Sequence, residues 1–291
     1  KQQHNIMTTA QKTIDTLVED IYSLFTSNEP TKIPANVLQD FAKDVTDAVV
    51  NSLTEERKPR NNLRLSMIGQ PARKVWYSVR STEQEELAGS DYIKFLYGDI
   101  LEALLVFLSK VSGHKVSDQQ KQVVLNDVVG HQDAVVDNVL VDFKSASSFS
   151  FKKFTEGMVF KDDPFGYVAQ LSAYAQANNA REAGWVVIDK TTGQIAYCPV
   201  HQMEMINASQ KIDYLRNAIK DSEPPSRCYD DVPDGKSGNM QLAVGCNYCP
   251  YKFDCWSDAN NGKGLRAFQY ANNVKYLTNV DREPNVPELQ I

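Results

Sequence analysis

The chain has 291 residues, of which 42% are hydrophobic and 23% are charged, and its formal net charge is −6. This apolar content allows a buried core in one large or two modest domains, and no apolar run approaches the roughly 20 residues of a membrane-spanning helix. The acidic balance argues against a uniformly basic surface that coats nucleic acid, but it is compatible with a local basic track and with carboxylates that hold cations. Because residues 1–5 lack a signal-peptide pattern, we expect a cytoplasmic protein without membrane contact.

Two amphipathic helices are predicted at the start of the sequence. Apolar residues recur at helical spacing over residues 9–25 and again over 36–53. The polar stretch 54–62 contains Pro59 and predicts a connection, so residues 1–62 form a predicted N-terminal helical region. We expect this region to pack against the following domain or to bind a protein partner.

An α/β domain is predicted over residues 63–222. A wide apolar stripe predicts a helix over 91–112. The period then changes, and Val-rich segments with interspersed polar residues predict strands over 121–129 and 131–143. The second segment is expected to form a hairpin with a two-residue turn at Asp137–Asn138.

The remaining elements complete this domain. They are a predicted helix over 167–180, strands over 184–189 and 194–200, and a helix that ends near residue 220. Together they predict a mixed central sheet flanked by helices. After Pro224–Pro225 the chain is expected to be loop-like, and residues 223–291 form a predicted cysteine-bearing flap and tail.

The predicted hairpin carries the candidate chemistry. Pairing outward from the turn places Asp133 opposite Asp142, and opposed side chains in a sheet have Cβ atoms only about 4.5–5.5 Å apart. Two carboxylates at that distance repel each other unless a cation neutralises them. Because side chains alternate along a strand, Lys144 lies on the same side as Asp142.

Hard oxygen ligands of this kind suit Mg²⁺ or Mn²⁺. Such an ion can activate water and stabilise charge on a phosphodiester. The alternative is a solvent-facing strand whose Asp and Lys form ordinary surface ion pairs.

Two further motifs lie on predicted helices. Glu102 interrupts an apolar run near the buried face of its helix, where a carboxylate needs a partner unless it reaches solvent. Gln170 and Tyr174 are four residues apart, so their side chains share one helix face.

The order of these motifs resembles a known family. Four short motifs occur between about residues 66 and 200, namely Gly98-x3-Glu102, Gly130-x2-Asp133, Asp142-Phe143-Lys144 and Gln170-x3-Tyr174. The series resembles the motifs of RecB-type nucleases in the PD-(D/E)XK superfamily, and the stand-alone format resembles phage-encoded members. Order and spacing together are more specific than any one motif.

The resemblance implies a PD-(D/E)XK, restriction-endonuclease-like core and a role for each acidic and basic motif residue. Glu102, Asp133 and Asp142 would bind Mg²⁺ or Mn²⁺, and the Phe143 carbonyl would add a ligand. Lys144 would orient the attacking water or stabilise charge on the phosphate.

Contacts with DNA are expected in two places. By the same resemblance, Gln170 and Tyr174 would contact or position the strand. Basic residues also lie beside aromatic ones around Arg73 and Lys152, and further basic residues occur over 57–60. Interleaved cations and rings suit a single strand or a frayed end, whereas solvated surface charge is the alternative.

The cysteines predict a second metal centre. All five lie in the last third of the chain: Cys198, Cys228, Cys246, Cys249 and Cys255. Their odd number and position do not fit a secreted disulfide framework. The close spacing Cys246-x2-Cys249-x5-Cys255 suits zinc or an iron–sulfur cluster, with unliganded thiols as the alternative. Cys198, near the end of a predicted strand, is expected to be a small buried hydrophobe.

The three-cysteine segment resembles the C-terminal part of the four-cysteine [4Fe–4S] site of iron–sulfur RecB-like nucleases. The first cysteine of that pattern would precede the nuclease core, near residues 68–77, but this sequence has no cysteine before Cys198. Cys228 could supply the fourth thiolate, which gives either a zinc site or a rearranged [4Fe–4S] site. In both cases the expected role is structural.

These features predict a metal-dependent DNA exonuclease that acts on linear ends, single-stranded or duplex, in recombination, repair or genome processing. The alternatives are a catalytically inactive DNA- or protein-binding module of the same fold, and an endonuclease. Opposed carboxylates favour an enzyme, because they would repel phosphate in a module that only binds DNA.

Overall fold

The structure of the chain is a computed structural model that describes residues 12–56, 61–81 and 89–290. These residues fall into two compact units. The first contains residues 12–56, 64–66 and 89–209, and the second contains residues 61–63, 67–81 and 210–290. The predicted three-part division, with boundaries at residues 62 and 222, remains a prediction.

Helices lie where the sequence predicts them near residues 9–25, 36–53, 91–112 and 167–180 and before residue 220, whereas the helices over residues 72–80 and 148–155 are not among the predicted elements. The seven longer ones are α1 (Leu17–Thr26), α2 (Ala35–Thr54), α3 (Ala72–Arg80), α4 (Gly89–Val111), α5 (Ser148–Thr155), α6 (Tyr167–Asn178) and α7 (Ala208–Lys220). Three single-turn helices follow: α8 (Val244–Asn247), α9 (Lys252–Cys255) and α10 (Ala259–Gly262).

The strands are short, and most have two to six residues. They are β1 (Val116–Ser117), β2 (Gln122–Leu125), β3 (Val128–His131), β4 (Ala134–Val136), β5 (Val139–Ala146), β6 (Ala183–Asp189), β7 (Ile195–Val200), β8 (Val232–Pro233), β9 (Met240–Gln241), β10 (Arg266–Gln269), β11 (Val274–Asn279) and β12 (Glu288–Leu289).

A mixed sheet forms the centre of the first unit. Its strand order is β1-β4-β5-β6-β7, in which β5 and β6 run parallel and the other neighbours are antiparallel. The α/β fold with a mixed central sheet and flanking helices is therefore confirmed. Because β5 lies in the middle, its residues are buried on both faces.

The main hydrophobic core lies on one face of this sheet. Val139, Val141 and Phe143 of β5 pack there against apolar residues of α1 and α4. The alternation of side chains therefore directs Asp142 to the opposite face, as the sequence predicts. α1 is an integral part of this core, since Leu17 and Ile21 are fully buried in it. A protein partner for the N-terminal helices remains a prediction.

The single strand predicted over residues 121–129 is wrong. Residues in this segment belong to two strands, β2 and β3, which form a separate antiparallel hairpin. Asn126 and Asp127 form its turn, with φ angles of 46° and 57°. Asn and Asp tolerate this left-handed conformation, so a two-residue turn interrupts the run of valines.

The loop-like character predicted after Pro224–Pro225 is also wrong. The second unit contains an antiparallel sheet with strand order β12-β10-β11-β9-β8. A small core packs beside the single-turn helices and contains Leu242, Cys246, Trp256, Ala259 and Leu265. Strands of two to six residues are too short for a clear alternation in the sequence, and pairing with distant segments defines them.

No helix in the described residues is long and apolar enough to cross a membrane.

Gly130 shows why one motif glycine is required. It lies in β3, and a Cβ atom built on it would come within 2.8 Å of Leu65 Cβ and 2.8 Å of Tyr174 Cε1. Side chains do not approach so closely, so the strand packs here only without a side chain.

We expect the Gly130→Ala substitution to lower the free energy of unfolding by about 1–3 kcal/mol, because overpacking forces neighbouring groups to move. Urea denaturation followed by circular dichroism measures this loss. Gly89→Ala is the matched control, since a Cβ at Gly89 would meet no atom within 4 Å. Equal stability of the two variants would contradict the packing argument.

Candidate active site

The β4–β5 hairpin has the register that the sequence predicts. Val136 pairs with Val139 and Ala134 with Val141, and the turn residues Asp137 and Asn138 have φ angles of 49° and 71°. Asp133 directly precedes β4, and its Oδ2 accepts a hydrogen bond of 2.8 Å from the backbone N–H of Phe143. The hairpin thus holds Asp133 beside the strand that carries Asp142.

Asp142 is a buried carboxylate, with 1% of its surface exposed. Lys144 Nζ lies 2.6 Å from its Oδ2 as an ion pair. Neither carboxylate oxygen accepts a hydrogen bond of ordinary geometry from the described residues. Burial of a charge is costly unless the group is paired and hydrogen-bonded, so Asp142 retains capacity for a further cationic partner.

Glu102 approaches the hairpin from α4. Its Oε1 accepts a hydrogen bond of 2.7 Å from the side-chain amide of Gln120. The backbone N–H of Gln120 donates to the carbonyl of Asp133 at 3.0 Å. Gln120 therefore connects two of the three predicted acidic residues.

The three carboxyl groups act on one another electrostatically. Burial raises the pKa of Glu102 to about 7. The hydrogen bond from Gln120 acts to lower this pKa, and the charge of Asp142 acts to raise it. Burial and the charges of Asp142 and Glu102 raise the pKa of Asp133 well above its usual value. The site therefore concentrates negative charge in a region that disfavours it.

Lys144 is the nearby cation. Burial alone would lower its pKa, but the charges of Asp142 and Asp133 outweigh burial and raise it. The ring of Tyr167 lies beneath the ammonium group, with 5.3 Å between Nζ and the ring centroid. Lys144 consequently remains protonated at neutral pH and serves as a fixed positive charge.

Gln170 and Tyr174 lie on α6 and contact each other, with 3.4 Å between Gln170 Nε2 and Tyr174 Oη. Tyr174 is 3% exposed, and its ring packs against Gly130. Burial raises the pKa of the Tyr174 hydroxyl to about 12, and the charges of Asp142 and Asp133 contribute. The pair thus lies near the carboxylates, and its contact with DNA remains a prediction.

The structure brings Glu102, Asp133, Asp142 and Lys144 close enough together for their charges to interact. In the described residues, no three His, Cys, Asp or Glu side chains are arranged as a ready metal site. The role of the carboxylates, and of the Phe143 carbonyl, as metal ligands remains a prediction.

Two residues near this group are absent from the predicted site. Gln120 has no signal in the sequence, since it follows a short strand in a left-handed turn with φ of 49°. Tyr167 does have a signal, because Tyr167, Gln170 and Tyr174 follow the i, i+3, i+7 spacing of one helix face.

The predicted basic DNA contacts differ in their surroundings. Lys152 is exposed on α5. Arg73, on α3, donates hydrogen bonds to the Pro225 carbonyl at 2.6 Å and to Cys255 Sγ at 3.0 Å. These contacts give Arg73 a structural role in the second unit, and DNA binding by either residue remains a prediction. The basic residues over 57–60 lie outside the described residues.

The four cysteines of the predicted metal centre lie in the second unit within electrostatic range of one another. N–H groups point at their sulfurs: Arg73 Nε at Cys255, the backbone of Lys74 at Cys228, the backbone of Tyr251 at Cys249 and the Trp256 indole at Cys246. Hydrogen bonds of this kind stabilise thiolates.

Three of these thiols, those of Cys228, Cys246 and Cys249, have a raised pKa and are protonated at neutral pH in the absence of a metal. Burial, together with the neighbouring sulfurs, raises the pKa of Cys246 to about 11. Burial also raises the pKa of Cys228 and of Cys249. Cys198 is half-buried in β7 of the first unit, where burial raises its pKa to about 11.

Comparison with known proteins yields partial structural similarity. No family model and no curated protein matches the chain. The crystal structure of SSO0001 has 16% identity and a TM-score of 0.40, over 76% of this chain and 96% of that one. An alkaline exonuclease (LHK-Exo) from Laribacter hongkongensis has 13% identity and a TM-score of 0.38, over 56% of this chain and 91% of that one.

The structure of LHK-Exo in complex with dAMP has 16% identity and a TM-score of 0.34, over 63% of this chain and 94% of that one. At TM-scores below 0.5, these similarities assign neither a family nor a function to this chain.

We expect Asp133→Asn to raise the free energy of unfolding of the metal-free protein by about 1–2 kcal/mol at neutral pH, because it removes a buried like charge. The asparagine carbonyl can still accept the hydrogen bond from Phe143. The pKa of Asp133 is higher in the folded chain than in the unfolded chain, where it is about 4. Wild-type Asp133 therefore lowers the free energy of unfolding once the pH exceeds about 4, and this loss reaches its full size only above the folded-state pKa.

The advantage of Asp133→Asn is therefore expected to be small near pH 4 and to grow toward pH 7. Urea denaturation in EDTA across this range measures it. Asp127→Asn is the matched control, because Asp127 is exposed in the β2–β3 turn. A wild type that is more stable than Asp133→Asn at pH 7 without metal would contradict the electrostatic description.

Proposed function

We propose that the chain is a metal-dependent deoxyribonuclease with a PD-(D/E)XK core, and that it acts as an exonuclease. The observation that carries the proposal is Asp142, a buried carboxylate whose Oδ1 accepts no hydrogen bond from the described residues and whose Oδ2 is paired with Lys144. A carboxylate with free lone pairs, two acidic neighbours and an adjacent lysine suits a divalent cation that binds phosphate.

The cation would be held by Asp142, Asp133 and Glu102. The Phe143 carbonyl would add a ligand, since a strand residue presents its N–H and its carbonyl to the same side. The N–H of Phe143 already bonds to Asp133, and β4 pairing with β5 ends at Ala134 and Val141. The donor set is entirely oxygen, as Mg²⁺ and Mn²⁺ prefer.

When bound, such a cation lowers the pKa of a water ligand and neutralises the charge of the scissile phosphate. The chain itself supplies the fixed charge of Lys144, which is held by Asp142 and Tyr167 and would lie beside the reacting phosphate. Because Lys144 stays protonated, it stabilises negative charge that develops on the phosphate and orients water by donation. Gln120 keeps Glu102 in place through its amide.

Incubation of end-labelled linear DNA and covalently closed circular DNA with Mg²⁺ or Mn²⁺ tests this function. Wild type is expected to degrade linear DNA only, and EDTA is expected to stop the reaction. Asp142→Asn and Lys144→Met are expected to reduce the rate by at least about 100-fold, as removal of one electrostatic partner typically does.

Asp127→Asn, which removes an exposed carboxylate of the same unit, is expected to retain activity. Cleavage of circles would make the chain an endonuclease. An active and folded Asp142→Asn protein would overturn the site, and absence of cleavage with either ion would favour a DNA- or protein-binding module. The roles in recombination, repair or genome processing belong to the same proposal.

We also propose that Cys228, Cys246, Cys249 and Cys255 bind one structural centre, either zinc or a [4Fe–4S] cluster. The support is their mutual proximity and the N–H groups directed at all four sulfurs. Four thiolates suit either centre, and bound metal would offset the burial that keeps Cys228, Cys246 and Cys249 protonated.

We expect purified wild-type protein to contain iron or zinc by elemental analysis, and Cys228→Ser to lose most of it because one of four ligands is removed. Visible absorbance separates an iron–sulfur cluster from zinc. Cys198→Ser is the matched control and is expected to retain the metal. If purified wild-type protein contains neither iron nor zinc, the four cysteines are unliganded thiols and the proposal is wrong.

A further inference from the structure

A shallow cleft lies beside Tyr167, and the proposed hydrolysis does not use it. Its cavity volume is about 40 Å³. Its apolar wall includes Phe154, Phe165 and Tyr167, and its polar wall includes Lys153, Asp162 and Asp163. An aromatic wall that faces a cation is typical of sites that bind single-stranded nucleic acid.

The aromatic wall is a series of rings that leads from the core to the surface. Fully buried Trp185 contacts Phe154 edge-on, with centroids 5.3 Å apart. Phe154 contacts Tyr167 at 5.6 Å, and Tyr167 stacks on Phe165 at 5.5 Å with 27° between the ring planes. Phe165 ends the series with 64% of its surface exposed.

The segment that carries Phe165 is held by Asp163. The carboxylate of Asp163 accepts three backbone hydrogen bonds of 2.8–2.9 Å, from Gly166, Tyr167 and Val168 at the start of α6. Phe165 is therefore an exposed ring on a fixed backbone. A platform that is already ordered loses little entropy when a flat ligand stacks on it.

Lys153 provides the cation at this cleft. It forms an ion pair with Asp162, whose side chain is largely exposed, and its Nζ lies 5.3 Å from the ring centroid of Phe149. An ion pair at the surface contributes little stability, so a phosphate group can replace Asp162 as the partner of Lys153.

Tyr167 joins this cleft to the carboxylate site. Lys144 Nζ lies 5.3 Å from the centroid of the Tyr167 ring, and the same ring stacks on Phe165. A strand whose phosphate lies at Lys144 therefore has a neighbouring nucleotide within reach of the cleft.

We propose that Phe165 is the stacking platform for an unpaired base of the substrate strand next to the scissile phosphate, and that Lys153 binds an adjoining phosphate. This inference rests on the proposed nuclease function and specifies its substrate: a DNA end with unpaired nucleotides. A base must leave its helical stack to lie on Phe165, and unpaired bases do so at the lowest cost.

Binding of short single-stranded oligonucleotides tests the platform independently of cleavage. The strands carry an abasic nucleotide at one terminal position at a time, and dissociation constants are measured in Ca²⁺ for wild type, Phe165→Ala and Phe165→Tyr. We expect Phe165→Ala to weaken binding roughly 5- to 150-fold, the loss typical of one base-stacking aromatic residue, and Phe165→Tyr to restore it.

At one strand position, an abasic nucleotide is expected to weaken binding by wild type as much as Phe165→Ala weakens binding of the intact strand. Phe165→Ala is then expected to bind this abasic strand no more weakly than it binds the intact strand. A 2-aminopurine at that position reports the stacking directly through quenched fluorescence. Phe25→Ala is the matched control, because Phe25 on α1 is similarly exposed, at 72%. It is expected to bind every strand like wild type.

The outcomes separate this inference from the proposed function. The platform is wrong if Phe165→Ala binds single strands like wild type. It is also wrong if the loss of affinity in Phe165→Ala adds to the loss caused by the abasic nucleotide at every position. In both cases the nuclease proposal stands if wild type cleaves DNA. If the coupled loss and the quenching appear but no cleavage occurs with Mg²⁺ or Mn²⁺, the platform stands on a module that only binds DNA. If wild type binds no single strand, the platform is wrong, and the nuclease proposal is decided by the cleavage assay with Mg²⁺ or Mn²⁺.

Discussion

Burial of the Asp142 carboxylate beside two other acidic groups is the constraint on which the rest of the first unit depends. Asp142 lies in the central strand of the mixed sheet, where flanking helices exclude water from both faces. In this environment a negative charge costs several kcal/mol unless cations or hydrogen bonds compensate it. Lys144 supplies one cation and leaves carboxylate lone pairs free. The fold therefore keeps three acidic groups close together with one compensating cation.

The surrounding elements hold this arrangement in place without relieving it. Gln120 binds Glu102 through its side chain and Asp133 through its backbone, while the N–H of Phe143 positions the Asp133 carboxylate. Tyr167 lies beneath Lys144 and restricts the position of its ammonium group. These are neutral groups, so they orient charges but do not cancel them. Buried acidic groups that are oriented but not compensated reduce the stability of the free protein.

The second unit has a different basis for its order. Its strands are short, and its small core contains Cys246 and packs against Cys255. The cysteines receive N–H groups from Arg73, Trp256 and the backbone. A small core of this kind contributes limited hydrophobic stabilisation, and a bound metal is a frequent supplement in such regions. Arg73 illustrates how position changes the role of a residue. Its neighbours in the sequence suggest a DNA contact, whereas its guanidinium is bonded within the cysteine region.

The sequence by itself determined the long helices, the β4–β5 hairpin and its register, and the grouping of Asp133, Asp142 and Lys144, because these depend on local periodicity and turn chemistry. It did not determine the β2–β3 hairpin or the C-terminal sheet, whose strands are too short for a periodic signal. Only the tertiary structure decided that Gln120 joins Glu102 to Asp133, that Tyr174 is buried against Gly130, and that the cleft with Phe165 adjoins Lys144. These contacts link residues far apart in the chain, and no local pattern encodes which distant side chains meet.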